Sequence, residues 1–186
     1  MDTKRLARLR TLSLVQRWAV IPTIQRQNVA EHSFHVLCVG MYYSQYLKAP
    51  ISVDTMARMA MEHDEPESIT GDITANFKPK IREVLTEYEK SKGFDMADSY
   101  SECELIVLKL ADLTEALLFC NEELMLGNRR IRPVWDEIWD RACAVQDGMT
   151  KMWDWPKLNR ELGGKLPLDY LIHNPDLISV VGLAQV

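Results

Sequence analysis

Apolar residues recur along this chain at steps of three and four and never in sustained alternation, the pattern of packed helices without a sheet. From Thr3 to Arg17, Leu6, Leu9, Leu12 and Val15 share one stripe with Lys and Arg between them, which predicts an amphipathic helix with a basic outer face. Pro22 disfavours helical geometry at Ile21, so the chain is expected to turn after Arg17-Trp18. A second helix is predicted over Asn28–Leu47, where Asn28 and Glu31 have capping-box spacing and His32, His35, Val36, Val39 and Tyr43 fall on or near one face. A third is predicted from Val53 to about Glu62. Gly71 and Pro79 bound a loop, Lys80 to about Lys92 reads as a surface helix, and Gly93–Ser99 as a connector.

Ser101–Met125 is the strongest helical segment, with Ser101 and Glu104 at capping-box spacing and Gly127 as the expected left-handed stop. Arg132-Pro133 opens a further helix expected to run to about Trp155. The Gly- and Pro-bearing tail, 163–186, carries enough Leu and Val to pack on the body. The expectation is an all-α bundle of about six or more helices in one domain, residues 1–186. Its motif-bearing core spans about 12–127, followed by a C-terminal helix and tail, 128–186.

Some polar residues interrupt this pattern at inward positions. His63 and Asp64 end the apolar run of Met56, Met59 and Ala60. Asp112 sits on the stripe of Leu105, Leu108 and Phe119, where a leucine belongs. His32 does the same on the second helix. A buried charge is costly unless it is paired or bound to metal. Asp112 has two readings, a surface pair with Lys109 or an inward carboxylate. Taken together, His32, His63, Asp64 and Asp112 supply two imidazoles and two carboxylates, a formally neutral set around a dication such as Zn, Co or Mn. That set leaves positions open for water and substrate, as a catalytic site requires.

Composition narrows the partners. The net charge of -5 argues against a nucleic-acid polymer as ligand. The opening residues are too charged for a signal peptide, and no apolar run reaches the roughly 18 residues of a membrane span. Cys38, Cys103, Cys120 and Cys143 are widely spaced and read as reduced, core-type residues of a cytoplasmic protein.

The ordered motifs Arg17-Trp18, Glu31-His32-Ser33, His63-Asp64-x-x-Glu67, Thr70-Gly71-Asp72 and Leu110-Ala111-Asp112 resemble the HD-domain metal-dependent phosphohydrolases. Within that class they are most similar to the bacterial 5'-deoxynucleotidases and their short phage relatives. The resemblance implies a single HD domain, a hydrolase acting on 2'-deoxynucleotides through a metal-activated water, and a homo-oligomer in the cytoplasm, or in the host cytoplasm for a phage protein. It implies one divalent ion held by His32, His63, Asp64 and Asp112, with Mg as a candidate second ion. Asp64 and Glu67 become the catalytic carboxylates, Glu67 orienting the water or shuttling a proton. Arg17 and Lys78 are candidates for phosphate, Trp18 and Val20 for the nucleoside base, and Asp72 for the sugar 3'-hydroxyl. Each also has a plain explanation as packing or a solvated side chain.

By its length the chain is most similar to the phage members, which act on deoxynucleoside triphosphates with dATP preferred and so shape the dNTP pool. That is the leading expectation. The alternative is a 5'-deoxynucleotidase that releases orthophosphate from dNMPs. A second alternative, a non-catalytic nucleotide sensor, predicts a missing ligand, and all four are present.

Overall fold

A computed structural model describes residues 2–74, 77–94, 96 and 99–174 of the chain. The described residues form helices α1 (Thr3–Thr11), α2 (Val29–Ser44), α3 (Val53–Glu62), α4 (Glu67–Thr70), α5 (Arg82–Ser91), α6 (Glu102–Met125), α7 (Arg132–Gly148), α8 (Trp155–Leu162) and α9 (Pro167–Ile172). Among these residues there is no strand, only two isolated antiparallel bridges, Gln16 with Asn28 and Leu47 with Trp153. The fold is all-α, as the hydrophobic pattern predicts.

Two helices with many buried residues, α2 and α6, start where local chemistry tells them to. The Asn28 side chain accepts from the Glu31 N–H while the Glu31 carboxylate accepts from the Asn28 N–H. Ser101 and Glu104 repeat the arrangement at the head of α6. Each box satisfies two backbone donors that a helix start otherwise leaves orphaned. Gly127 follows α6 at φ 94°, a conformation costly for any residue with a Cβ.

The 24-residue α6 runs through the middle, with α2 on one side and α7 on the other. Val36 and Tyr43 of α2, Met56 and Met59 of α3, and Leu110 and Leu117 of α6 are fully buried in one continuous core. The α2–α3 contact is close because Gly40 has no side chain: a Cβ there would lie 2.5 Å from the Met56 sulfur. This approach carries the C-terminal end of α3, and His63 with it, towards His32. Trp153, in the non-helical stretch Met149–Asp154, is wholly buried and meets the Tyr43 ring edge-on at 6.3 Å between centroids.

Four expectations need correction. The first helix stops at Thr11 and a 3-10 turn follows over Leu12–Leu14. Its basic side faces inward: Arg5 bonds Glu62 at 2.7 Å and Glu65 at 2.9 Å, Arg8 bonds Glu65 at 2.8 Å, and Leu6 is 49% exposed. Acidic partners some sixty residues away, not the leucine stripe, decide which side of α1 packs. The Arg132 helix ends at Gly148 instead of running to Trp155, which opens a separate helix capped by Asp154. Of the four cysteines only Cys120 is buried; Cys38 and Cys103 are exposed, on helix faces that turn to water. The tail packs through Leu168, Leu171 and Ile172 as expected, and its remainder, 175–186, lies outside the described residues.

Candidate metal centre

Three helices converge on one point. His32 comes from the first turns of α2, His63 caps the C-terminus of α3 with Asp64 beside it, and Asp112 comes from the middle of α6. His32 Nε2 lies 3.4 Å from His63 Nε2, 3.3 Å from Asp112 Oδ1 and 3.5 Å from Asp64 Oδ2. Asp64 Oδ2 is 3.2 Å from His63 Nε2. One donor atom each from His32, His63 and Asp112 fit within 4.8 Å of one another.

The far ring nitrogens make this cluster fit a cation. His63 Nδ1 lies 2.8 Å from the Ala60 carbonyl, to which it donates, and His32 Nδ1 is bonded to Glu115. Both rings therefore carry a proton on Nδ1 and turn Nε2 inward. Two inward lone pairs and two carboxylate oxygens would repel one another without a positive charge between them. Ligands at the usual distance of about 2.0–2.2 Å from a zinc-like ion stand roughly 3.4 Å apart in a tetrahedron, close to the spacing observed. A backbone carbonyl or carboxylate behind each imidazole is the usual support for a histidine ligand.

Without the ion, protons take its place. Burial and the Arg17 charge push the His32 pKa down, but Glu115 and Asp112 outweigh them and raise it to about 9. Burial works against the charged form of Asp64, yet the His63 and His32 rings hold its carboxyl well below the usual range. Asp112 is depressed in the same way, with burial overcome by Lys109 and His32. Both readings of Asp112 hold together, because Oδ1 faces His32 while Oδ2 takes the Lys109 ammonium at 2.7 Å.

Around this core, Glu67 is buried on α4 and accepts from Lys78 Nζ at 3.2 Å. Burial and then the Asp64 charge push its pKa up to about 7, with Lys78 pulling the other way. Arg17 is half-buried and paired with Glu115 at 3.1 Å. Trp18 stacks on Phe119, with ring centroids 5.1 Å apart and planes 8° from parallel. It holds φ at 64°, a strained conformation for a bulky residue and of the kind that collects at functional sites. Asp72 lies within electrostatic reach of both Arg17 and Glu67. Val20 is 71% exposed, and no described contact ties it to the cluster. His35, on the same helix as His32, points its half-exposed ring outward and only approaches Glu115, at 3.5 Å.

Two groups at the site were not singled out from sequence. Glu115 and Gln27 are both buried, 2% and 5% exposed, and bonded to each other at 2.6 Å. The readable signal for Glu115 was its place one helical turn after Asp112, on the same inward face. Gln27 sits in a loop and left no pattern to read.

The fold and the cluster together define an HD-domain phosphohydrolase. The structure resembles an HD-domain phosphohydrolase of Listeria innocua, with TM-score 0.68 and 18% identity, covering 98% of this chain and 92% of that one. It also resembles DatZ, the HD phosphohydrolase of cyanophage S-2L solved with dA and one catalytic Zn2+ ion, with TM-score 0.57 and 23% identity over 82% of this chain and 98% of that one. In sequence, the chain is 30% identical over 146 residues to a 5'-deoxynucleotidase of Vibrio vulnificus, 66% of this chain and 75% of the relative. It is 32% identical over 146 residues to one of Yersinia pestis, 66% and 74% of the two chains. Residues 4–98 match the YfbR-like 5'-deoxynucleotidase family. The chain belongs to that family.

Proposed function

We propose that this chain is a metal-dependent 5'-deoxynucleotidase, hydrolysing deoxynucleoside 5'-monophosphates to deoxynucleosides and orthophosphate. The observation that carries the reading is the inward convergence of His32 Nε2, His63 Nε2, Asp64 Oδ2 and Asp112 Oδ1 in a chain of this family. A bound dication supplies Lewis acidity towards a phosphoryl oxygen and acidifies water. The chain's own groups do the rest. Glu67, poised near neutrality, accepts a proton from the attacking water and returns one to the leaving 5'-oxygen. Arg17 and Lys78 offer N–H donors to the phosphate, Trp18 an aromatic wall to the base, and Asp72 an acceptor to the sugar.

The monophosphate reading displaces the triphosphate reading that chain length first favoured, because the similar sequences are 5'-deoxynucleotidases. The local charges support the change. Arg17, Lys78 and Lys109 are each already paired, with Glu115, Glu67 and Asp112. That arrangement suits one phosphate beside a dication better than three phosphates in a row, whose added charge calls for further cations.

The test is to incubate the protein with Co, Mn, Zn or Mg and each dNMP, dNTP and rNMP, then identify what is released. Orthophosphate from dNMPs, with little from rNMPs, is the expected result. Triphosphate released from dNTPs returns the phage-type activity, and no release from any nucleotide overturns the enzymatic reading.

A further inference from the structure

Glu115 does more than support one histidine. Its Oε2 meets both His32 Nδ1 and Arg17 Nη1, and its Oε1 accepts from Gln27 Nε2. Gln27 in turn uses its Oε1 twice, accepting from Arg17 Nη1 at 3.2 Å and from Trp18 Nε1 at 3.1 Å. Its main-chain carbonyl also accepts from the Arg17 N–H at 2.9 Å. The amide orientation is fixed by this chemistry: its oxygen faces two donors and its nitrogen faces a carboxylate. A single buried pair therefore touches a metal-facing imidazole on one side and the Arg17-Trp18 arm on the other.

We propose that Glu115 and Gln27 form one buried positioning unit that sets the His32 ring for the metal and the Arg17-Trp18 arm for the nucleotide. This rests on the deoxynucleotidase reading for its substrate and not for its metal half. Glu115 fixes the Nδ1–H tautomer of His32, which leaves Nε2 as the ligand atom. It also stops Arg17 from swinging onto the metal carboxylates, whose charges act on it. Gln27 holds the strained Trp18 backbone and ring in place through the indole N–H. The two residues act at different distances from the ion, so their losses separate. Glu115 controls metal affinity and the phosphate arm together, and Gln27 controls the arm alone.

The experiment titrates metal-free protein with Co2+ or Zn2+ against a chromophoric chelator, with no nucleotide present, and records the Co2+ absorption spectrum. Glu115→Gln keeps the shape and removes the charge. It is expected to lose metal affinity by about 10–100-fold and to change the spectrum. Glu115→Asp keeps the charge but withdraws it by one methylene; it gives an intermediate loss and replaces the amide variant should that fail to fold. Gln27→Ala is expected to bind metal within about twofold of wild type while KM for dAMP rises about tenfold or more, as the part-buried Trp18 N–H loses its acceptor and Arg17 keeps only Glu115. Unchanged metal affinity and spectrum in both Glu115 variants overturns the proposal, even if they melt at lower temperature. A Gln27→Ala variant with unchanged KM, or with metal affinity lost as in Glu115→Gln, overturns the division of roles. A wild-type protein that binds metal yet hydrolyses no dNMP defeats the substrate reading and leaves the metal half standing.

Discussion

Asp112 carries two obligations with its two oxygens, one towards the cluster and one towards Lys109. Asp112→Ala removes a candidate ligand and leaves two imidazole nitrogens facing each other with one carboxylate. Metal content by elemental analysis should fall below one equivalent and turnover by at least about a hundredfold, while the helical circular dichroism signal stays near wild type. Glu67 has the one carboxyl at the site raised into the neutral range, through burial first and Asp64 second. In its proposed role as proton acceptor it must be ionised, so kcat/KM should climb with pH through about 7 and flatten above it. Glu67→Gln should remove that limb of the profile along with most of the activity. The stability sign is opposite. Between the ordinary carboxylate value and about 7 the folded chain keeps a proton on Glu67 that the unfolded chain releases, so this group's contribution to stability declines as pH rises through that window.

The element that departs most from its pattern is α1. Its leucines suggest a buried stripe, yet the helix has no buried residue and attaches through Arg5 and Arg8 to Glu62 and Glu65. Those acids flank His63 and Asp64, so α1 clamps the turn that presents two candidate metal ligands. Glu65 is 3% exposed and would be left charged without a partner. Replacing both arginines by alanine should cost about 2 kcal/mol, below the 3–5 kcal/mol of a fully buried pair because each arginine keeps about a third of its surface in water. Chemical denaturation measures it, and metal affinity should weaken alongside. Local signals read well at this scale: the capping boxes at Asn28 and Ser101 and the bounds of α3 need only residues within a few positions. The polarity of α1 was not legible, because it depends on charges nearly sixty residues away in the chain.

For the molecule as a whole, the cluster is a store of charge that the fold tolerates best when an ion is bound. His32 at about 9 means the metal-free ring is protonated at neutral pH, so binding must displace that proton. Apparent Co2+ or Zn2+ affinity should rise with pH, by up to about tenfold per unit below 9 for each proton displaced. At a hundred times the dissociation constant the ion adds about 2.7 kcal/mol to stability. For a domain of this size a chelator should therefore lower Tm by roughly 5–10 °C, read by calorimetry. Among the described residues no helix is long and apolar enough to cross a membrane, in line with the hydrophobic pattern.

The sequence by itself marked the candidates for metal chemistry and determined the helices that carry them and where those helices begin, since helix starts are settled by neighbours within a turn or two. It also marked His32, Asp64 and Asp112 as charges too costly for their apolar settings. Only the tertiary structure decided that three helices meet with donor atoms 3.2–3.5 Å apart, that arginines and not leucines seat α1, and that Glu115 and Gln27 stand behind the cluster. The physical reason is that hydrogen bonds and charge pairs act over a few ångströms in space, while the residues that meet across elements here stand 31 to 98 positions apart along the chain.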